Sequence, residues 1–376
     1  MKIKVNRKIF IAAAETAQGC ITKSTLPILN CILINADDAD NVFLRGSNSS
    51  SYIDVKLTCD VLDRGVAAVP LTIIKYLKNI FGDTFELEVQ ENYHAVLTCG
   101  KTEITIPCQD PKDYPIFGEF DPVFAAKVNG KQFLNAIKYG GYASATKDDS
   151  RKVLEGLLCQ FENDGSLTVV STDGKRLAIH NRMIGYETST GENAKFILPA
   201  SASYTLGLML FSGSQEGNDT ELTVGEKQIK VETANEIFCC RLVEGNYPNY
   251  RQVIPESFKY KIPVDITTFH AKIKMLSMVD DQNSNCTLTF NPKSIKLEAK
   301  SLMNGTVKDE IELPEQTGIE DSVSVTLNAK FITDSLNACR DTSEQFILCL
   351  NDAVSPLKFS FDFDSTGCII MPLRNK

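Results

Sequence analysis

The sequence predicts an α+β protein built from three tandem copies of one unit, each with two helices and several antiparallel strands. Three observations predict it. Val69-Pro70, Leu198-Pro199 and Leu327-Asn328 each end a strand-like run and open a helix-like one, and the three sites lie 129 residues apart in both steps. Val5-Asn6, Val128-Asn129 and Val264-Asp265 each precede another helical run, with Phe10, Phe133 and Phe269 five residues after the valine. Elsewhere apolar and polar residues alternate with a period of two, as in ELTVGEKQIKVET, which is the pattern of hairpins with one buried face.

The helices have readable starts. Asn6, Asn129 and Asp265 are N-cap residues, whose side chains accept from an otherwise unpaired N–H of the first turn. The later helices read LTIIKYLKNIFGD, ASASYTLGLMLFSG and AKFITDSLNACRD. The offsets between the earlier helices are 123 and 136, so loop lengths differ between copies. Proline and glycine interrupt the pattern at YPIFGEFDP and PESFKYKIP, which sets domains at 1–121, 122–255 and 256–376.

One hairpin stands out in the middle copy. Leu167, Val169 and Ser171 alternate with Thr168, Val170 and Thr172, and Leu177 and Ile179 alternate after Asp173-Gly174. The Asp-Gly step predicts a two-residue turn, because glycine takes positive φ without strain. Its tip offers a hydroxyl, bare backbone, Arg176 and Leu177, a combination suited to one wall of a pocket for an apolar peptide side chain.

The chain has 376 residues, 43% hydrophobic and 23% charged, which fits a globular protein of two to four domains. No run approaches the ~20 apolar residues of a membrane helix. The opening MKIKVNRKIF has no apolar signal region, so the expected compartment is the cytoplasm. None of the twelve cysteines forms a Cys-x-x-Cys pair, and the three histidines (His94, His180, His270) are far apart. No metal site is therefore expected, and the cysteines read as small core residues in a reducing compartment.

The net charge is −9, from 39 basic and 48 acidic residues. Yet the helices look cationic: Arg7, Lys8, Lys75, Lys78, Lys131, Lys138, Lys272, Lys274 and Lys330 fall on them, against Glu15 and Asp334. The acidic surplus sits on strands and loops, at Asp37, Asp38, Asp40, Glu86, Glu88, Glu310 and Glu312. Helices sharing one surface would make that surface positive and suited to a phosphate backbone, bound by charge without base reading.

Catalytic signatures are missing. There is no Walker loop, G-x-G-x-x-G or G-x-S-x-G, and no cofactor motif. Asp173 has no partner carboxylate nearby in sequence, and Asp148-Asp149 reads as a solvated loop. An enzyme using Asp173 would need a metal and a second carboxylate there.

In combination, STDGKRLA (171–178), GNYPNYRQVIP (245–255) and CIIMPLR (368–374), with TLPILNC (25–31) and RKVLEGLL (151–158), resemble the bacterial replicative sliding clamps, the β subunits of DNA polymerase III. The resemblance covers the whole chain. It implies three clamp domains, helices lining a channel and sheets outside, and two chains closing head to tail into a ring. The implied function is a non-catalytic processivity factor that encircles duplex DNA and tethers the replicative polymerase. The clamp loader and other clamp-binding-motif proteins are implied as further partners. Matching positions add Lys23 and Arg151 to Lys75, Lys78, Lys131, Lys138 and Lys330 as channel contacts. The implied partner pocket comprises Leu154, Thr172, Gly174, Lys175, Arg176, Leu177, Pro248, Val253, Ile369, Ile370, Met371, Pro372, Leu373 and Arg374. Arg176 and Arg374 would pair with carbonyls or acidic flanks of the peptide.

Gln252 stands where the family often has a basic residue and Lys175 where histidine is common, which bears on peptide preference. Asn375-Lys376 extends past the usual end. Ring closure would set Ile104 and Ile106 against Met275 and Leu276. The competing reading is a repeat scaffold that binds proteins only, for which the helix lysines would be dispensable.

Overall fold

The structure is a computed structural model that describes every residue except 39–40, 147–150, 214–218, 280–283, 302, 362–364 and 374–376. Asp40, Asp148, Asp149 and Arg374 therefore lie outside the described residues. The first repeat runs β1 (Lys2–Asn6), α1 (Arg7–Gln18), β2 (Cys31–Asn35), β3 (Phe43–Ser47), β4 (Ser51–Lys56), β5 (Asp60–Asp63), β6 (Val66–Pro70), α2 (Thr72–Asn79), β7 (Thr84–Val89), β8 (His94–Cys99) and β9 (Thr102–Pro107). The second runs β10 (Phe124–Asn129), α3 (Gly130–Gly141), β11 (Gly156–Phe161), β12 (Ser166–Thr172), β13 (Arg176–Met183), β14 (Glu187–Thr190), β15 (Ala194–Pro199), α4 (Ala200–Gly213), β16 (Asp219–Val224), β17 (Gln228–Glu232) and β18 (Glu236–Arg241). The third runs β19 (Tyr260–Asp265), α5 (Ile266–Ser277), β20 (Asn285–Phe290), β21 (Ser294–Ser301), β22 (Gly305–Glu312), β23 (Val323–Asn328), α6 (Ala329–Cys339), β24 (Gln345–Leu350), β25 (Leu357–Phe361) and β26 (Thr366–Ile370).

The capping pattern has its geometry. Asn6 accepts from Lys8 N and Ile9 N, Asn129 from Gln132 N, and Asp265 from Thr268 N, at 2.7–3.3 Å. Asn328 caps α6 in the same way, accepting from Lys330 N and Phe331 N. Phe10, Phe133 and Phe269 are each fully buried. Phe10 meets Phe85 edge-on at 5.3 Å, and Phe269 meets Phe346 at the same separation. The cap and the aromatic knob thus fix each first helix to its sheet.

Two compact units emerge. One contains Met1–Leu134, Gly185–Ala194 and Ser201–Leu242, the other Asn135–Ile184, Lys195–Ala200 and Val243–Lys376. Each takes half of the middle repeat, because sheets run across the repeat boundaries. In the first unit a nine-stranded sheet has the order β14-β10-β16-β17-β18-β4-β3-β2-β6, beside a five-stranded sheet β5-β1-β7-β8-β9. In the second unit an eight-stranded sheet has the order β15-β11-β12-β13-β26-β25-β24-β19, beside a four-stranded sheet β22-β21-β20-β23.

The two crossings use equivalent strands in one register. β4 pairs with β18, Tyr52 opposite Cys239; β13 pairs with β26, Leu177 opposite Ile369. Lys2, Ala125 and Lys261 each precede the capping motif's valine by three residues. Followed across the ladders, they lead to Thr105, Cys239 and Ile369 in the last strand of each repeat. Ala68 and Thr326, two residues before Pro70 and Asn328, lead the other way to Asp54 in β4 and Lys308 in β22. Leu177 faces Thr172 as Tyr52 faces Ser47, which gives the middle repeat its equivalent.

Eleven of the twelve cysteines are buried and Cys59 is half-buried, all as free thiols. Burial pushes Cys20 up to about 11 and Cys159 up to about 12, so they stay protonated and behave as small apolar side chains.

Candidate peptide-docking site and helix cations

The hairpin of the middle repeat has a longer connection than the Asp-Gly step predicts. Thr172 pairs with Leu177, so four residues intervene. Asp173 explains the extension: its Oδ1 accepts from the backbone N–H of both Lys175 and Arg176 at 2.9 Å. Its Oδ2 takes Arg176 Nε at 3.2 Å. The carboxylate that an enzymatic reading requires is thereby held in turn-making bonds. Thr172 Oγ1 donates to Arg176 O and accepts from Gly174 N, closing the tip. Gly174 has φ +83°, and a Cβ there would lie 2.8 Å from Arg151 Nη2, so glycine is required twice over. Arg151, expected as a channel contact, lies against this turn.

Beneath the tip is an apolar layer. Leu158, Val170, Leu177, Ile197, Tyr250 and Ile369 form one buried cluster, with Val153, Ile179, Val243, Tyr247 and Ile254 half-buried against it. The next residue along β26, Ile370, points to the opposite face of the sheet, into the core that holds α5 and α6. Leu154 is buried, and Val153 packs on the cluster. Ile370 therefore lies on the far face of the sheet from the apolar layer.

The segment after β18 covers part of this layer. Asn249 caps a short 3-10 turn over Tyr250–Val253 by accepting from Arg251 N. This leaves Pro248 and Gln252 exposed and Val253 44% exposed. The Tyr247 hydroxyl is buried, and burial pushes its phenol up while the Thr172 backbone opposes the rise. The tail covers another part. Met371 N donates to Lys175 O at 3.0 Å and Leu373 N to Thr326 O on β23 at 2.8 Å, which strings Met371-Pro372-Leu373 from the turn to the four-stranded sheet. Met371 stays 40% exposed, with Pro372 and Leu373 half-buried. Val253 and Met371 are thus apolar residues left open at the edge of a buried apolar layer.

Arg176 differs from expectation. Its guanidinium reaches Asp334 on α6 at 2.7 Å as well as Asp173, lies 4.6 Å from the Phe331 ring centre, and is 10% exposed. It ties the middle repeat to the third and has little surface left for a peptide. Phe331 and Asp334 were not legible as site residues, because on α6 they read as ordinary helix positions; Val170, Ile179, Ile197, Tyr247, Tyr250 and Ile254 read as strand or linker core. Arg176→Ala should destabilise the protein by about 2 kcal/mol, the range for charged hydrogen bonds, seen as a lower midpoint in thermal unfolding.

Several helix cations are neutralised locally. Lys78 pairs with Glu15, Lys138 with Asp341 and Lys272 with Asp309, each at 2.6 Å. Arg7 donates to Leu77 O and Gly82 O and so caps the end of α2. Lys23, Lys75, Lys131 and Lys330 are exposed and have no ion-pair partner among the described residues. Of the expected contacts for ring closure, Ile106 and Leu276 are 2% and 0% exposed in their own cores. Ile104 is half-buried and Met275 is 41% exposed.

Helix-backed sheets repeated three times and joined edge to edge, with a buried apolar layer under exposed Val253 and Met371 at one joint, define a protein of clamp domains. Family profiles of the DNA polymerase III β subunit match all three parts: the N-terminal domain at 1–118, the central domain at 127–249 and the C-terminal domain at 251–374. The chain belongs to the DNA polymerase III β-subunit family, whose members are non-catalytic processivity factors. The β sliding clamps of Staphylococcus epidermidis and Staphylococcus aureus are each 25% identical to it, over 100% of this chain and 99% of theirs. The β subunit of Pseudomonas aeruginosa has the same fold, with TM-score 0.88 at 20% identity over both whole chains. The Helicobacter pylori β clamp bound to a DNA ligase peptide gives 0.83 at 23%, also over both whole chains.

Proposed function

We propose that this chain is a replicative sliding clamp of the cytoplasm, with domains at 1–121, 122–255 and 256–376. Two copies close head to tail around duplex DNA, and the groove beside Leu177 takes the short apolar motif of the polymerase, the clamp loader and other partners. The apolar layer under Leu177 and Ile369, with Val253 and Met371 left open at its rim, carries this reading. The exposed Lys23, Lys75, Lys131 and Lys330 suit phosphates, and weak contacts of this kind permit sliding because closure rather than affinity keeps the ring on DNA.

Loading on nicked circular DNA tests it. Retention should persist through gel filtration and vanish when the circle is linearised; retention unchanged by linearisation would sink the proposal. Lys75→Glu with Lys330→Glu should reduce DNA-stimulated synthesis and its salt dependence. Intact stimulation would favour a scaffold that binds proteins only.

A further inference from the structure

An oxidant meets few reactive thiols on this chain. Eleven of the twelve cysteines are buried, and burial pushes the half-buried Cys59 above its ordinary value and Cys286 up to about 12. The thiolate is the form that attacks a peroxide, so these side chains are shielded both by burial and by protonation. A thioether needs exposure but no deprotonation. Among the described residues Met183, Met275, Met278, Met303 and Met371 are 40–95% exposed, while Met209 is fully buried. Met303, at 95%, already stands in water and loses little by gaining an oxygen. Met371 differs because of the surface it borders.

The tail carries the ladder between β13 and β26 one step further. Leu177 lies opposite Ile369 and Arg176 opposite Ile370, and Met371 N then donates to Lys175 O at 3.0 Å. Side chains alternate between the two faces of a strand. Ile369 and Leu177 belong to the apolar layer and Ile370 to the core on the far face, so the alternation returns Met371 to the side of the layer. Its thioether stands at the edge of the surface proposed to take the apolar side chains of a partner peptide. A methionine suits that place, because its flexible, polarisable side chain adapts to what lands on it.

We propose that Met371 is an oxidative modification site that switches the docking groove off. This rests on the docking function proposed above and names its regulation. The Met371 sulfur attacks one oxygen of hydrogen peroxide; the S–O bond forms as the O–O bond breaks, and the departing oxygen leaves as water with the proton released from the attacked one. Sulfur gives up two electrons and the peroxide gains them, so no further reactant is consumed. The sulfoxide is polar and accepts hydrogen bonds. In the free protein water satisfies that oxygen; against an apolar peptide side chain it has no donor, so the cost falls on the complex. The change is reversible, because a methionine sulfoxide reductase supplied with a dithiol removes the oxygen as water and leaves a disulfide on the reductant.

Hydrogen peroxide treatment of the full-length protein tests this, with oxygen on Met371 read by peptide mass and binding by anisotropy of a labelled clamp-motif peptide. Affinity should fall about tenfold in step with Met371 oxidation, and methionine sulfoxide reductase with dithiothreitol should restore it. Two variants, each compared with its own untreated affinity, locate the effect. Met371→Leu should lose the sensitivity to peroxide. The fourfold variant Met183→Leu, Met275→Leu, Met278→Leu, Met303→Leu should keep it. Affinity that holds although Met371 carries the oxygen, or an equal loss in Met371→Leu, would overturn the switch and leave the groove in place. Untreated protein that binds no clamp-motif peptide would overturn the docking function itself, and the switch with it.

Discussion

Deletion of residues 371–376 should weaken binding of a clamp-motif peptide by about a hundredfold, on the order of 2.7 kcal/mol. Met371 and Leu373 are strung between Lys175 O and Thr326 O, so the deletion removes one side of the groove along with the bonds that hold it there. The floor should survive. Leu177, Val170 and Ile369 are buried in the sheet and do not depend on the tail for their positions. Thermal unfolding and dimerisation are therefore expected to change little, which separates loss of the site from loss of the fold. Fluorescence anisotropy of a labelled peptide reads the first quantity and light scattering the second. Peptide affinity unchanged by the deletion would place the docking surface elsewhere. Local repulsion or attraction at Lys175 and Gln252 should alter preference among peptides rather than decide whether they bind, because both side chains are exposed beside the apolar floor.

Much of this was legible because the repeat writes each feature three times. Asn6, Asn129 and Asp265 announce helices by a local bond that needs no tertiary context, and Phe10, Phe133 and Phe269 announce the core by position. The alternation around Leu177 is local too. The turn was misread because Asp-Gly has a two-residue solution, and only the Asp173 side chain, bonding two backbone groups further on, selects the longer one. The partner of Arg176 was hidden for another reason. Asp334 is 158 residues away, and nothing in either segment records that α6 passes over the turn. Lys78, Lys138 and Lys272 were expected to face outward as bare charges. Their neutralisation by Glu15, Asp341 and Asp309 depends on helix and strand neighbours that periodicity does not specify.

Asp54→Ala is expected to be the most destabilising single change in the first unit. Asp54 receives Arg45 through two bonds of 2.6 Å, and their side chains are 12% and 20% exposed. Burial pushes the Asp54 carboxyl above its ordinary value and the Arg45 guanidinium opposes that rise. Removing the carboxylate strands a largely buried guanidinium, at a cost of about 3–5 kcal/mol, visible as an earlier first transition in urea unfolding. The second joint shows how to mend it. Along the equivalent strands Arg45 corresponds to Val170 and Asp54 to Ile179, an apolar pair packed under the peptide groove. Arg45→Val with Asp54→Ile should therefore recover nearly all the loss, since well-packed apolar replacements of a buried ion pair are often neutral or stabilising. A double variant as unstable as Asp54→Ala would mean that the pair holds the joint through its hydrogen-bond geometry and not merely as matched charges. The swap would not make a second docking groove. Tyr52 stands where Leu177 stands, and the Phe117 ring lies 4.9 Å from it, with Arg241 beyond. Phe117 follows Tyr114-Pro115 as Tyr250 follows Tyr247-Pro248, and its ring packs on Tyr52. Peptide stoichiometry by calorimetry should accordingly remain one per chain in the double variant, because the connecting segment already occupies that face.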